Sequence, residues 1–500
     1  MRKQNTTQTA ASHEGVGPKE KITNNELGAL GITDLQMLVA FSRVANGLLK
    51  HKVMDKQQII ANLQALIDDP TPYALKTGGK FKNLAEDVLA KRKMGKFIVQ
   101  PRAVHELKKE LAEFPVYGLE HIEVGAMAQM KTAIKLPIAV AGALMPDAHQ
   151  GYGLPIGGVL ATTADTIIPY AVGVDIACRM CLSIFDLPAD TIDTKQDHLK
   201  SLLLKNTFFG MGSESKKHHD DTLFDRPEWD ATKQIRGLKD KAYRQLGTSG
   251  TGNHFVEWGE LTIGEGALPG VPAGTYLALL SHSGSRGFGA GIASYYSEIA
   301  MKKTKLPHEA KHLAWLDMNT EEGQEYWIAM NLAGDYASAN HHEIHNKIAK
   351  DMLMEPLMRI ENHHNFAWQE QLADGTPVMV HRKGATPAGE GVLGIIPGSM
   401  STPGFVVRGK GDAKSINSAS HGAGRLMSRS AAFKTIQRDL VAAELLDKKI
   451  TLLGSDLDEA PMVYKDIHSV MAAQTDLVDV LAKFQPRIVR MADPKERPED

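Results

Sequence analysis

The chain is poor in cysteine, in long apolar runs and in net charge, and each shortage excludes a class of protein. Two cysteines, Cys178 and Cys181, in 500 residues exclude a disulfide framework and point to a reducing compartment. The most apolar run, LPIAVAGALMP, is too short to cross a bilayer. The opening MRKQNTTQTAASHEG has no apolar segment of the signal-peptide kind. A cytoplasmic protein with no membrane partner is therefore expected. Lys+Arg 57 against Asp+Glu 59 leaves a net charge of −2, so no global basic field recruits nucleic acid. Any RNA contact must come from a local arginine patch. Internal repeats and low-complexity blocks are also missing. A hydrophobic content of 43% and a charged content of 23% are those of an ordinary globular chain.

Residues 1–22 are polar and read as a disordered tail. Apolar residues at helical spacing in 34–49, 57–67 and 84–93 predict a small helical extension over 23–95. From residue 96 short β-rich runs (96–100, 138–144, 180–185, 275–280, 391–396, 404–409 and 450–454) alternate irregularly with helices. The stretch 322–350 is the clearest helix, and 206–228 reads as a surface loop. This mixture predicts an α+β fold, one large mixed domain over 96–491 with an acidic tail at 492–500.

Metal-ligand side chains cluster in glycine- or asparagine-marked segments. AVGVDIACRM carries Asp175 and Cys178, GTSGTGNHFVEWG carries His254, SHSGSRGFG carries His282 and ENHHNF carries His364. A carboxylate and a thiolate three apart can chelate one ion, and five such donors can serve two ions if one bridges. Each segment alone also fits a structural turn. SHGAGRLMSRS places His421 just ahead of two glycines that end before an amphipathic run, close to a helix N-terminus where phosphate binds. A neutral imidazole there can attack phosphorus. Arg425 and Arg429, four apart, would share one face of that helix.

Three other patterns compete. Cys178-Arg-Met-Cys181 has redox spacing but no surrounding thioredoxin-like pattern. His308-Glu-Ala-Lys-His312 matches the zinc-peptidase helix signature, with Glu321, Glu322 or Glu325 as third ligand. His341, His342 and His345 lie on what reads as the polar, solvated side of a helix.

In their order along the chain, MPDAHQGYGLPIGG, VGVDIACRM, GTSGTGNHFVEWG, SHSGSRG, HHN, RKGA, GIIPGSM, VRGKG, SHGAGRLMSRS and APMVYKDIHSVMAAQTDLVDVL resemble the RtcB-type RNA ligases. The resemblance runs from about residue 96 to 491. It implies two Mn²⁺ ions bridged by Cys178, with Asp175 and His254 on one and His282 and His364 on the other. Ligand softness alone would favour zinc. It further implies GTP as co-substrate, His421 as the guanylylated residue and Asp147 as the carboxylate orienting it. Guanylate contacts would fall on Asn253, His254, Phe255, Val256, Glu257, His364, Asn365, Pro397, Gly398, Ser399, Met400, Gly404, His421, Gly422, Ala423, Gly424 and Tyr464. Arg286 and Arg425 would meet RNA phosphates. The implied substrates are RNA ends with 2′,3′-cyclic phosphate or 3′-phosphate and RNA ends with 5′-hydroxyl, and an activating protein is a further possible partner.

Two positions depart from the family pattern. Met491 stands at the place of a guanine-reaching lysine, and Gly404 replaces a serine often used against the nucleotide. Arg490 or Lys495 are the cations near enough in sequence to substitute for that lysine. A diverged nucleotidyltransferase using another nucleotide, or only capping 3′-phosphates, is the alternative these departures suggest.

Overall fold

The structure is a computed structural model and describes residues 21–32, 34–94, 104–215 and 222–494. Residues 1–20 of the tail expected over 1–22, the strand 96–100 and the end of the acidic tail lie outside these, while Ile22 belongs to the core of the first unit. The chain separates into two compact units, 1–103 and 104–500.

In the first unit, helices Asn24–Ala29, Leu35–Lys50, Lys56–Asp68, Thr71–Leu75 and Lys82–Lys93 follow one another. Their starts are written locally. Thr23 with Glu26 and Asp55 with Gln58 form capping boxes, and the Asp34 carboxylate accepts from the Met37 N–H. The apolar stripes meet in a core of Leu27, Phe41, Leu63, Leu66, Leu84 and Val88.

The second unit is organised by an eight-stranded sheet. Its order is Leu393–Ile396, Gly404–Gly409, Val478–Met491, Phe255–Ile263, Gly274–Ser283, Arg179–Pro188 and Met358–His363, with Thr451–Leu453 parallel to Val478–Met491. A four-stranded antiparallel sheet, in the order Ala139–His149, Ile156–Thr163, Pro377–Lys383 and Asn365–Gln371, lies beside it. His364 is the single residue between the last strands of the two sheets, so it stands at their junction. The helix Glu321–Met352, capped by Thr320 accepting from the Gly323 N–H, buries Tyr326, Met330, Tyr336 and Ile344. The segment expected as a surface loop instead contains two 3₁₀ turns, Thr222–Asp225 and Pro227–Asp230, which bury Leu223, Phe224 and Trp229.

Antiparallel register sets the site. Phe255 and Met180 both pair with His282, while Arg179 pairs with Ser283 on one side and His363 on the other. Cys178 and His254 immediately precede strands, His282 is the penultimate residue of one, and His364 follows one. The donor residues therefore meet at one end of four neighbouring strands of the large sheet.

Candidate active site

Two donor groups share Cys178: Asp175, Cys178 and His254 in one, Cys178, His282 and His364 in the other, each with ligand atoms within 4.8 Å of one another. Ala177 takes a left-handed φ of 56°, and the Cys178 N–H reaches the Asp175 carbonyl at 3.3 Å. That turn brings Asp175 and Cys178 into one cluster. Gly284 is required here, because a Cβ would lie 2.1 Å from Asp175 Oδ1.

The hydrogen bonds fix the tautomers. His254 Nδ1 faces the Ser249 carbonyl at 2.8 Å and His282 Nδ1 faces the Asn253 carbonyl at 3.1 Å. A carbonyl only accepts, so both neutral rings carry their proton on Nδ1 and turn a bare Nε2 inward. Those bare nitrogens meet other acceptors: His254 Nε2 lies 3.1 Å from Asp175 Oδ2, and His282 Nε2 lies 3.0 Å from Cys178 Sγ. Burial, then the neighbouring His254, hold His282 well below the usual histidine range; burial, then His421, do the same for His364. Neutral imidazoles are the metal-binding form. Among the described residues the buried His364 Nδ1 has no hydrogen-bond partner. One carboxylate, one sulfur and three imidazoles, those of His282 and His364 favoured in the neutral form, would suit divalent cations of the borderline kind.

Across the cleft His421 follows the strand Ser418–Ser420. Asp147 Oδ2 accepts from His421 Nδ1 at 2.7 Å and also from the backbone N–H groups of His421 and Gly422 at 3.0 and 3.3 Å. Burial alone would raise the Asp147 carboxyl, but the charges of His421 and Lys465 outweigh it and hold the group below the ordinary carboxylate range. The ionised carboxylate keeps the His421 proton on Nδ1 and leaves Nε2 of the neutral ring without one. Gly424, at φ 75°, is the second obligatory glycine: a Cβ would fall 2.0 Å from the Asp147 carbonyl oxygen.

Both groups open on a cleft of about 660 Å³. Asn253, Phe255, Glu257, Asn365, Pro397–Met400, Gly404, Gly422–Gly424, Arg425 and Tyr464 line it, as does Met491. Glu257, Val489, Phe255 and Met491 share a sheet face because Glu257 pairs with Val489 and Phe255 with Met491. Burial raises the Glu257 carboxyl well above its usual range. Burial also lowers Lys383, another lining residue, to about 7.

Several expectations are corrected. Val256 turns to the opposite face and packs with Phe185 and Trp258. His421 is not at a helix N-terminus: helix starts only at Arg429, and the run splits into Arg429–Thr435 and Arg438–Asp447. Gly422 and Gly424 favour turns over helix, and Ser428 caps the helix that follows by accepting from the Ala431 N–H. Arg425 is consequently not on a helix; it bridges to Tyr464 and, with Arg429, reaches Glu459. Arg286 is 2% exposed, its guanidinium bonded to Thr248 Oγ1 and the Gly210 carbonyl, and it is not among the cleft-lining residues. Arg490 bonds to the Leu453 carbonyl and Asp493 and does not line the cleft, while Lys495 lies outside the described residues. His308–Leu313 is a 3₁₀ helix. With three residues per turn, His308 and His312 do not share the face a peptidase zinc needs.

His341 and His345 are fully buried rather than solvated. They sit with Cys181 in a third donor group, yet serines separate the rings. Arg359 Nε donates to Ser183 Oγ at 3.2 Å, Ser183 Oγ meets His345 Nδ1 at 2.8 Å, and His345 Nε2 meets Ser281 Oγ at 2.8 Å. Ser281 Oγ meets His341 Nδ1 at 2.6 Å, and His341 Nε2 reaches the Ser283 carbonyl at 3.1 Å. One consistent set of neutral tautomers satisfies every link, each hydroxyl accepting once and donating once. Sequence reasoning missed Lys383, Glu459, Tyr152 and Tyr170 as lining residues; only their glycine-rich or histidine-adjacent settings marked them.

The family described as tRNA-splicing ligase RtcB matches this chain over residues 129–236 and 220–492. The RNA-splicing ligase RtcB of Escherichia coli K12 is 33% identical over 395 residues, covering 72% of this chain and 92% of that protein. The tRNA-splicing ligase RtcB of Thermococcus kodakarensis is 32% identical over 420 residues, 69% of this chain and 86% of its own. RNA-splicing ligase RtcB homolog 1 of Entamoeba histolytica is 30% identical over 433 residues, with 72% and 82% covered.

Proposed function

The chain belongs to the RtcB family, and from that premise we propose that it is an RNA ligase. It joins RNA ending in a 2′,3′-cyclic phosphate or 3′-phosphate to RNA beginning with a 5′-hydroxyl, with GTP as co-substrate. The observation that carries this reading is the His421–Asp147 pair at 2.7 Å, facing the same cleft as the five metal-type donors.

Asp175, Cys178, His254, His282 and His364 would hold two divalent ions, manganese in this reading. When bound, these supply Lewis-acid neutralisation of phosphate charge. The residues of the chain do the rest. His421 Nε2 attacks the α-phosphorus of GTP, forming a P–N bond as pyrophosphate leaves, while Asp147 retains the Nδ1 proton and steadies the charge on the ring. Water opens any cyclic phosphate. An oxygen of the RNA 3′-phosphate then takes the guanylyl group and His421 is released. Finally the 5′-hydroxyl attacks the activated 3′ phosphorus, losing its proton, and GMP leaves. Phe255, Met400 and Met491 offer the base an apolar wall with the Glu257 carboxyl on it. Arg425 stands at the cleft for a phosphate.

Incubation with α-labelled GTP and a divalent metal tests the reading. A GMP adduct on the wild type and none on His421→Ala is expected; label from neither GTP nor ATP overturns it. Label from ATP alone would favour the second reading, a nucleotidyltransferase loading another nucleotide, for which the cation-poor wall at Met491 speaks.

A further inference from the structure

A group of rings at the cleft has no part in the steps above. Tyr152 lines the cleft and is 69% exposed. Its ring stands edge-on to Tyr170 at 6.5 Å and to His312 at 6.1 Å, and Tyr170 and His312 are 4.8 Å apart. Burial, then the charges of Lys311 and Lys383, lower the His312 pKa and keep that ring neutral. Lys383 ties the group together: its Nζ donates to the Tyr152 carbonyl at 2.6 Å and lies 5.6 Å from the centre of the Tyr170 ring. The next residue, Gly384, approaches the reacting imidazole so closely that a Cβ there would lie 3.2 Å from His421 Cε1. Lys383, against which these rings lie, is therefore the chain neighbour of the glycine that approaches His421.

An exposed tyrosine lining a cleft costs apolar hydration unless a ligand covers it. Two rings behind it hold its plane, so little side-chain entropy remains to be lost on binding. A cation adjacent to a flat ring, within reach of the reacting phosphate, is the arrangement that takes a nucleotide: phosphate toward the ammonium, base onto the ring.

We propose that Tyr152, backed by Tyr170 and His312, is a stacking platform for the base next to the break in an RNA strand, with Lys383 beside that nucleotide's phosphate. This rests on the RNA-ligase reading. Stacking requires only a π-face, so the platform accepts any base and confers preference for a nucleoside end over a bare phosphate.

The test uses the full chain with GTP, divalent metal and short RNAs carrying one abasic nucleotide at the 3′-phosphate end or at the 5′-hydroxyl end. Tyr152→Ala is expected to raise the KM for RNA about ten- to a hundredfold, while Tyr152→Trp preserves it; melting temperatures check the fold of each. In the wild type, the abasic site in one of the two strands costs a similar factor and identifies the strand. In Tyr152→Ala that same abasic site costs nothing further. Additive losses, or an unchanged KM in Tyr152→Ala, overturn the platform and leave the ligase reading intact. A wild type that binds GTP but joins no RNA removes both.

Discussion

His254 Nε2 and Asp175 Oδ2 lie 3.1 Å apart with no proton between them in the neutral ring, since the ring's one N–H is directed at the Ser249 carbonyl. Two acceptors at that distance repel unless a cation sits between them. A divalent metal should therefore stabilise the fold. At a hundredfold excess over its Kd the gain is about 3 kcal/mol, so chelation should lower the melting temperature by several degrees and metal should restore it. Cys178→Ala should remove most of that response, because the sulfur is common to both groups. Calorimetry with and without chelator checks this; an indifferent melting point rejects it.

The third donor group behaves oppositely. Its links run ring to hydroxyl to ring, and nothing in it calls for a cation. Metal analysis should return two ions per chain, unchanged in Cys181→Ser. Ser281→Ala, by contrast, leaves two buried ring nitrogens without a partner and should cost about 2–4 kcal/mol in denaturant unfolding. A third ion lost on Cys181→Ser would contradict this.

Asp147→Asn preserves volume but can no longer accept as a charged group from Nδ1–H, so the wrong His421 tautomer is favoured. GMP uptake should fall about 10²- to 10⁴-fold with the fold intact by circular dichroism. Retention of near-normal labelling would show that the backbone alone orients His421.

The donor segments and His421 were legible because each needs a rare residue beside glycine or asparagine, and Gly284 and Gly424 are steric requirements of Asp175 and Asp147. Five of the large sheet's strands were legible as short apolar runs, whereas Phe255–Ile263, Met358–His363 and Val478–Met491 were not singled out. The sequence misled where burial depends on distant partners. His341 and His345 read as solvated because the serines that satisfy them lie on other elements. Arg286 read as a phosphate ligand because Thr248 and Gly210, which take its guanidinium, are separated from it by tens of residues. Helix was expected after His421 from apolar spacing, but spacing does not register Gly422 and Gly424, which favour turns, or Ser428, which caps a helix starting only at Arg429.

Lys383 supplies a pH test. Burial lowers its pKa to about 7 from the model-peptide value of 10.5. The unfolded chain therefore binds more protons than the folded one between those values, and this group makes stability rise with pH across the window. Below pH 7 the full penalty of a buried cation applies. Lys383→Met should accordingly raise the melting temperature most at pH 6, with the gain shrinking toward pH 9.5. A gain that grows with pH would show that the ammonium is stabilised by its neighbours rather than disfavoured.

Base selection is the last expectation, and it turns on Met491. Register puts Met491 opposite Phe255 and diagonal to Glu257 on one face of the sheet, roughly 7–8 Å between such positions. A guanine there can give its N–H groups to the Glu257 carboxyl, but its carbonyl oxygen meets the apolar Met491 instead of a donor. Desolvation already raises Glu257, and among the described residues no cation on that wall opposes it. Met491→Lys would add a donor for the carbonyl and a charge that favours ionised Glu257, two effects in one direction. The KM for GTP in the labelling reaction should fall about tenfold, the worth of one charge-assisted hydrogen bond of roughly 1.5 kcal/mol, while ATP gains nothing. Equal gains for both nucleotides would mean that the new ammonium reaches phosphate, and that the base lies elsewhere in the cleft.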